Sequence, residues 1–513
     1  MKLNSLSLLV FPERTFLLLV ISSAVTHRIP ESLNDDKKQL REHCEREDLV
    51  MFVNACFAAT RQNEYYTDQY KTSVSIEFLH QYVMINYRRL YARTIAAGIN
   101  HFNQLQIIFN LLQAGSPADL TQRSEEGALI AAALRALPAN RVYALFERLQ
   151  KNHVNNRRTR AVIKRYLEWR SEPAFDAIKY RNKYRAASAH AHTKLDDELG
   201  MFLFDLKKHN KYQTPLLDKY RQAHYSATAI YELPFTVAES LAQKHDVPRD
   251  VFLRKIEHKM TAAEKLRYQS SAARTKGAKL DFDLGRASLT RLALYVLSLH
   301  KNERLERADE LHAAFERATQ QTLARSPLSL NRVAAVFDRS RSTMGSREKR
   351  NRPLAVALAS SYLLRGAATE YRAFWTPSID NDAFEFLTQP AGQTTLANPL
   401  IDALEWQPDL IVIVSDGYEN DPPMIVDQVA QIYREQIGKE STPEIVHMNP
   451  VFDADHFAPR RLGPTIATVG LRDAEDIPTM LGFARFTAGT ATLADLEQYL
   501  AIRVNRMLNS DET

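Results

Sequence analysis

Five oxygen-bearing residues in the last third of the chain have the types and order of a hard-cation site. The run VFDRSRSTMGS places Asp338, Ser340 and Ser342 directly after an apolar stretch, and IVIVSDG places Asp416 after another. Between them AGQTTLANPL offers Thr394, read as the start of a helix facing the same crevice, with Thr395 as an alternative of the same type. A divalent cation such as Mg²⁺ takes oxygen ligands in near-octahedral array and keeps several waters, which suits hydroxyls together with a carboxylate or two. One position would stay open to a carboxylate or other anionic group brought by a partner. Asp-x-Ser-x-Ser alone is a weak signal, because Asp and Ser crowd turns and helix starts as caps. Three pieces in order, each after the right kind of element, make a stronger one, although Arg339 and Arg341 put bulk and positive charge beside the serines.

The elements that must position these residues are legible as short β-branched runs alternating with helical segments. RVAAVFD, EYRAFW, DLIVIVSD, EIVHMNPV and TIATVGL read as buried strands, the one before Asp416 being counted as a fourth, with a helix around Leu354 to Arg365. Strand and helix in alternation imply right-handed crossovers and a doubly wound, mainly parallel sheet. Ligands of such sheets bind beyond the carboxyl ends of the strands, where the Asp and Ser residues fall.

Upstream, from about residue 35 to 320, apolar residues recur at three and four positions, as in VYALFERLQ, LGMFLFDLKK and LTRLALYVLSLH. Breaks are short, at Gly115-Ser116-Pro117, Leu137-Pro138 and Val247-Pro248, as between antiparallel helix neighbours. The expected architecture is therefore an N-terminal α-helical repeat domain, residues 1–327, followed by a doubly wound α/β domain, residues 328–513. At 513 residues two domains are the natural count, and 45% apolar with 25% charged residues is ordinary for folded protein. Only 15 glycines are present, which disfavours glycine-rich phosphate loops and all-β architecture.

Cys44 and Cys56 form neither a disulfide framework nor a sulfur-based zinc motif, which suits a reducing, cytoplasmic setting. Near the start, LSLLVFPERTFLLLVISSAV is interrupted by Pro12-Glu13-Arg14, and its second run is too short to span a bilayer. A strand or helix packed on the first domain is expected there, not an export signal. No GxSxG, HExxH or Walker loop occurs, and His190 and His192 lack a third ligand nearby, so no catalytic residue is assigned.

Residues 151–192 hold eleven Lys or Arg against three acids, a local net of +8 in a chain whose total is +6. The basicity is thus concentrated, and Tyr166, Trp169, Tyr180 and Tyr184 are interleaved with it. Phosphate contacts plus base stacking need that combination, so RNA is the leading ligand class. The candidate phosphate contacts are Arg157, Arg158, Arg160, Lys164, Arg165, Lys179, Arg181, Lys183 and Arg185. A solvated helix face balanced by acidic neighbours is the plainer alternative.

The Asp-x-Ser-x-Ser, Thr and Asp pattern resembles the metal-ion-dependent adhesion site of von Willebrand factor A domains, and that resemblance implies Asp338, Ser340, Ser342, Thr394 and Asp416 as the five ligand positions. A helical module ahead of such a domain is similar to the Ro autoantigen family, whose helical part is the TROVE domain. The segments VNNRRTRAVIKRYL, LPFTVAESLAQKHDVPRDVFLRKIEHKMTAAEKLRYQSSA and LSLNRVAAVFDRSRSTMG carry that likeness. It implies HEAT-like repeats closing into a ring, a non-enzymatic ribonucleoprotein that binds misfolded or small structured RNA, and a possible protein partner at the metal site. A metal-dependent interaction scaffold without RNA is the rival expectation.

Overall fold

A computed structural model describes residues 37–509, apart from 61, 67–68, 206–210, 262–263, 266–267, 269–283, 380–383, 420–424, 439–441 and 490. The segment expected to pack as a strand or helix near the start, Phe16 to Val25, lies outside the described residues. No described helix is long and apolar enough to cross a membrane.

From Lys37 to Arg325 the described elements are helical. Their ends obey local chemistry: Asn100, Asp119, Asn156 and Asp196 each accept a hydrogen bond from the backbone N–H three residues on, the N-cap arrangement. The breaks at Gly115 to Pro117, Leu137-Pro138 and Val247-Pro248 fall between helices as expected. The longer helices bury an apolar stripe. In Ala139–Lys151, for instance, Val142, Tyr143, Leu145, Phe146 and Leu149 are buried.

Five parallel strands follow: β1 (Leu330–Asp338), β2 (Ala368–Thr376), β3 (Leu410–Val414), β4 (Glu444–Asn449) and β5 (Ala467–Gly470), in the order β2-β1-β3-β4-β5. All five sequence runs read as strands are strands. The one before Asp416 is third in chain order among the described residues, not fourth. The helix expected around Leu354 to Arg365 spans Arg352–Ala367. Strand order reverses between β1 and β3, and the crevice of a doubly wound sheet opens at that reversal, outside the carboxyl ends.

The two faces of the sheet join different cores. Ala334, Val336, Ile411 and Ile413 pack with Leu396, Leu400 and Val426 in a small cluster. Val333, Ala335, Phe337, Val412 and Val414 face the other way, into a cluster continuous with the helical part of the chain. Packing therefore crosses the division at 327/328. Helix Lys37–Ala58 lies against β5, where Asn54 Nδ2 donates to Thr468 O (2.9 Å) and Gly470 N donates to Asn54 Oδ1 (2.6 Å). One amide side chain thus satisfies both a donor and an acceptor at the edge strand, which blunts an otherwise pairing-competent edge. The helix Leu493–Asn509 closes the arrangement by packing on Arg88–Arg93 and Leu120–Ala136.

Candidate cation site and basic helical surface

β1 ends at Asp338 with the register pair Phe337 and Val414 beside it, so β1 and β3 release their next residues at the same edge. Asp338 and Asp416 are brought together there, 1% and 2% exposed. Asp338 Oδ1 accepts from Ser340 N at 2.7 Å, which turns the chain so that Ser340 Oγ and Ser342 Oγ meet at 3.0 Å. Thr394 Oγ1 donates to Asp338 Oδ2 at 3.5 Å, while the Thr395 hydroxyl is engaged with Thr376 Oγ1 at 2.7 Å. Geometry thus selects Thr394 over its neighbour. It lies in the loop ahead of helix Ala397–Glu405, not at its start as the sequence suggested.

All five predicted positions therefore converge. Asp416 is held by Tyr418 N donating to its Oδ1 (3.1 Å) and by Asn449 Nδ2 donating to its carbonyl (3.0 Å). The turn after it needs glycine: Gly417 has φ +79°, and a Cβ would meet Arg460 O at 2.6 Å. Beneath lies His447 on β4, buried between Ser415 Oγ (3.0 Å) and Thr468 Oγ1 (3.2 Å), its pKa lowered by burial to about 4. The bulk of Arg339 is turned away, its guanidinium donating to the carbonyls of Pro377, Ser378 and Gln389.

The electrostatics fit a cation. Burial, then the neighbouring Asp416 charge, push Asp338 up to about 7, and burial likewise raises Asp416. Two carboxylates in one dry pocket with three hydroxyl oxygens form a hard, oxygen-only donor set, the kind that Mg²⁺ accepts. Among the described residues no cluster of three or more His, Cys, Asp or Glu suggests a metal site of another type. His190 Nε2 is bonded with Val154 O (3.0 Å), and His192 occupies the left-handed turn closing its helix.

A cleft of about 440 Å³ opens over the serines, lined by Tyr65, Tyr66, Ser340, Arg341, Ser342 and Gln393. Tyr66, 46% exposed, lines the cleft with Ser342, and its pKa is raised to about 12 by burial and by Asp416. Sequence reasoning missed Tyr66, Asn449 and His447. Tyr66 stands in the helical part, with no local signal linking it to the Asp-x-Ser-x-Ser turn.

The basic stretch divides in the structure. Arg158 pairs with the buried carboxylate of Glu126 (2.9 Å), which also holds Arg88, and Arg181 donates to Phe202 O and Leu203 O. These two serve the fold and are withdrawn from the proposed phosphate set. Tyr166 and Tyr184 are buried around Tyr143, ring centroids 5.9 and 5.7 Å away, and cannot stack on a base as expected. Arg157, Arg165 and Arg185 are exposed, while Arg160, Lys164, Lys179 and Lys183 are half-buried, Lys183 lying 3.5 Å from Glu147. Trp169 keeps partial exposure at a groove of about 670 Å³ between helices Leu120–Ala136 and Arg157–Trp169, with the Arg135 and Arg165 guanidiniums 4.2 and 4.8 Å from its ring centroid. Arg135 was not among the predicted residues, because it lies outside the basic run.

No family model matches this sequence, and no curated protein matches it. Among solved structures the chain is similar to the crystal structure of the Ro (RSR) protein of Deinococcus radiodurans, at 17% identity and a TM-score of 0.44, over 87% of this chain and all of that one.

Proposed function

We propose that this chain is a non-enzymatic RNA-binding protein of the Ro ribonucleoprotein type, with a cation site of Asp338, Ser340, Ser342, Thr394 and Asp416 that takes Mg²⁺ and contacts a partner. The observation that carries the RNA reading is the concentration of accessible cations on three successive helices, Arg157–Trp169, Pro173–Lys179 and Arg181–Ala191, beside a partly exposed Trp169 flanked by two guanidiniums. Backbone phosphates would be met by Arg157, Arg160, Lys164, Arg165, Lys179, Lys183 and Arg185, and bases by Trp169. Nothing in that set reads a base edge, which suits recognition of small structured or misfolded RNA by shape and charge.

The bound cation would supply Lewis acidity for holding an anionic oxygen. The two carboxylates would hold it, and the serine and threonine hydroxyls would supply neutral oxygens. Among the described residues no side chain outside the proposed ligand set stands beside the cation position as a general base, and partner contact is the reading adopted.

The test is filter binding of a structured RNA with a single-stranded 3′ tail to wild type and to a variant with Arg157, Arg160, Lys164 and Arg185 reversed to Glu. Loss in the variant supports the reading, and equal binding contradicts it. A second reading, a metal-dependent protein scaffold without RNA, is favoured by the engagement of Arg158 and Arg181 with protein groups. It predicts indifference to polyanions and loss of a protein partner in Asp338→Ala.

A further inference from the structure

We infer that Tyr66, contributed by the helical part of the chain, is the anion-receiving group of the cation site: its hydroxyl takes the second oxygen of a carboxylate or phosphate whose first oxygen fills the cation's open position. This rests on the cation reading above and adds to it a residue from outside the Asp, Ser and Thr pattern.

The placement of Tyr66 is enforced by several independent contacts. Asn63 N donates to Glu348 Oε2 (3.0 Å), and Ser346 Oγ donates to Asn63 O (2.8 Å). The nearly buried carboxylate of Glu64 pairs with Lys349. The Tyr66 ring packs on Tyr65 (4.7 Å) and on Tyr418 (4.2 Å), and Arg460 lies 4.1 Å over the Tyr418 ring. A short segment of the helical part is thus pinned to the turn that carries the serines, and its tyrosine is held at the mouth of the cleft.

Ser342 Oγ is hydrogen-bonded with Ser340 Oγ (3.0 Å), and Tyr66 lines the cleft beside both serines. A phenol is a donor as well as an acceptor, and an oxyanion on the cation's open face would present its second oxygen to that donor. Arg341, exposed at the same cleft, adds positive charge to the approach. The ligand class is therefore an oxyanion with two available oxygens, and a lone neutral donor would be bound less well.

The experiment uses the full chain with Mn²⁺ as a paramagnetic stand-in for Mg²⁺, titrated with acetate and separately with inorganic phosphate, following free Mn²⁺ by electron paramagnetic resonance and bound water by proton relaxation. In Tyr66→Phe, an isosteric change at a half-exposed ring, Mn²⁺ affinity should stay within about threefold, since no metal ligand is removed. The probe that displaces water in wild type should bind about tenfold more weakly, the usual scale for losing one hydrogen bond to a charged group. The two arms separate a carboxylate ligand from a phosphate one. Mn²⁺ binding with unchanged affinity for both anions in Tyr66→Phe would overturn the assignment of Tyr66 while leaving the cation site intact. Failure of wild type to bind Mn²⁺ would instead overturn the cation reading, and this inference with it. An equal loss in Tyr65→Phe would also overturn the assignment.

Discussion

Replacing Asp338 by Asn should stabilise the metal-free protein and abolish its response to Mg²⁺. Asp338 is 1% exposed, and its carboxyl is displaced from 3.8 to about 7, first by burial and then by the Asp416 charge. The folded state consequently binds more protons than the unfolded chain between those values. Its stability falls as pH rises through that window, and the penalty is complete above about 7. At about pH 8 the displacement corresponds to about 4 kcal/mol against the folded state. Asparagine keeps an acceptor for Ser340 N while removing the charge. For a chain of this length, recovering that energy raises the melting temperature by roughly 4 °C. In wild type, Mg²⁺ at a hundredfold its dissociation constant should recover about 2.7 kcal/mol. The assay is differential scanning fluorimetry of wild type and Asp338→Asn at about pH 8, with EDTA or with Mg²⁺. A variant less stable than wild type in EDTA, or one stabilised by Mg²⁺ to the same extent, would refute the reasoning.

Other outcomes follow from particular contacts. His447, neutral and fully buried with a pKa of about 4 against the ordinary 6.5, binds protons in the unfolded chain before the folded one. Stability should therefore fall by up to about 3 kcal/mol as pH drops from about 6.5 to 4, and an NMR titration should find one imidazole still neutral near pH 5. An imidazole set that titrates wholly near 6.5 would contradict this. Asn54→Ala removes both partners of the β5 edge, Thr468 O and Gly470 N, and should cost roughly 2 to 3 kcal/mol in urea denaturation. Arg158→Ala leaves the buried Glu126 with Arg88 as its one cation, beside the Gln122 amide, and should destabilise by roughly 1 to 3 kcal/mol with little change in RNA affinity. Reversal of exposed Arg157 should do the opposite, weakening RNA binding at constant stability.

The sheet was legible because β3, β4, β5 and most of β1 are short apolar runs, and parallel strands buried on both faces leave that mark whatever their neighbours; β2, at the edge, was expected to be buried and is so only at its carboxyl end. The candidate cation positions were legible because Asp338, Ser340 and Ser342 alternate in one short run, Asp416 follows a recognisable strand and Thr394 precedes a recognisable helix. Charge counting served the basic helices less well. It ignores which face a residue takes: Ile163, Tyr166 and Leu167 share the buried side of their helix, so Tyr166 belongs with the core by the same three-four spacing that identified the helix. Arg158 and Arg181 could not be sorted by composition, since their partners Glu126 and Phe202 lie on other helices. Tyr66 and Asn54 reach the α/β part only through tertiary packing, and no local pattern marks either.

The central claim is tested most directly by the salt dependence of RNA binding. Equilibrium affinity of the full chain for a structured RNA with a single-stranded 3′ tail would be measured across a salt series. If the seven accessible Lys and Arg residues neutralise phosphates, log affinity should fall against log salt with a slope of about −5. No binding at the lowest salt, or a slope near zero, would contradict the RNA-binding account and leave the metal-dependent scaffold in its place.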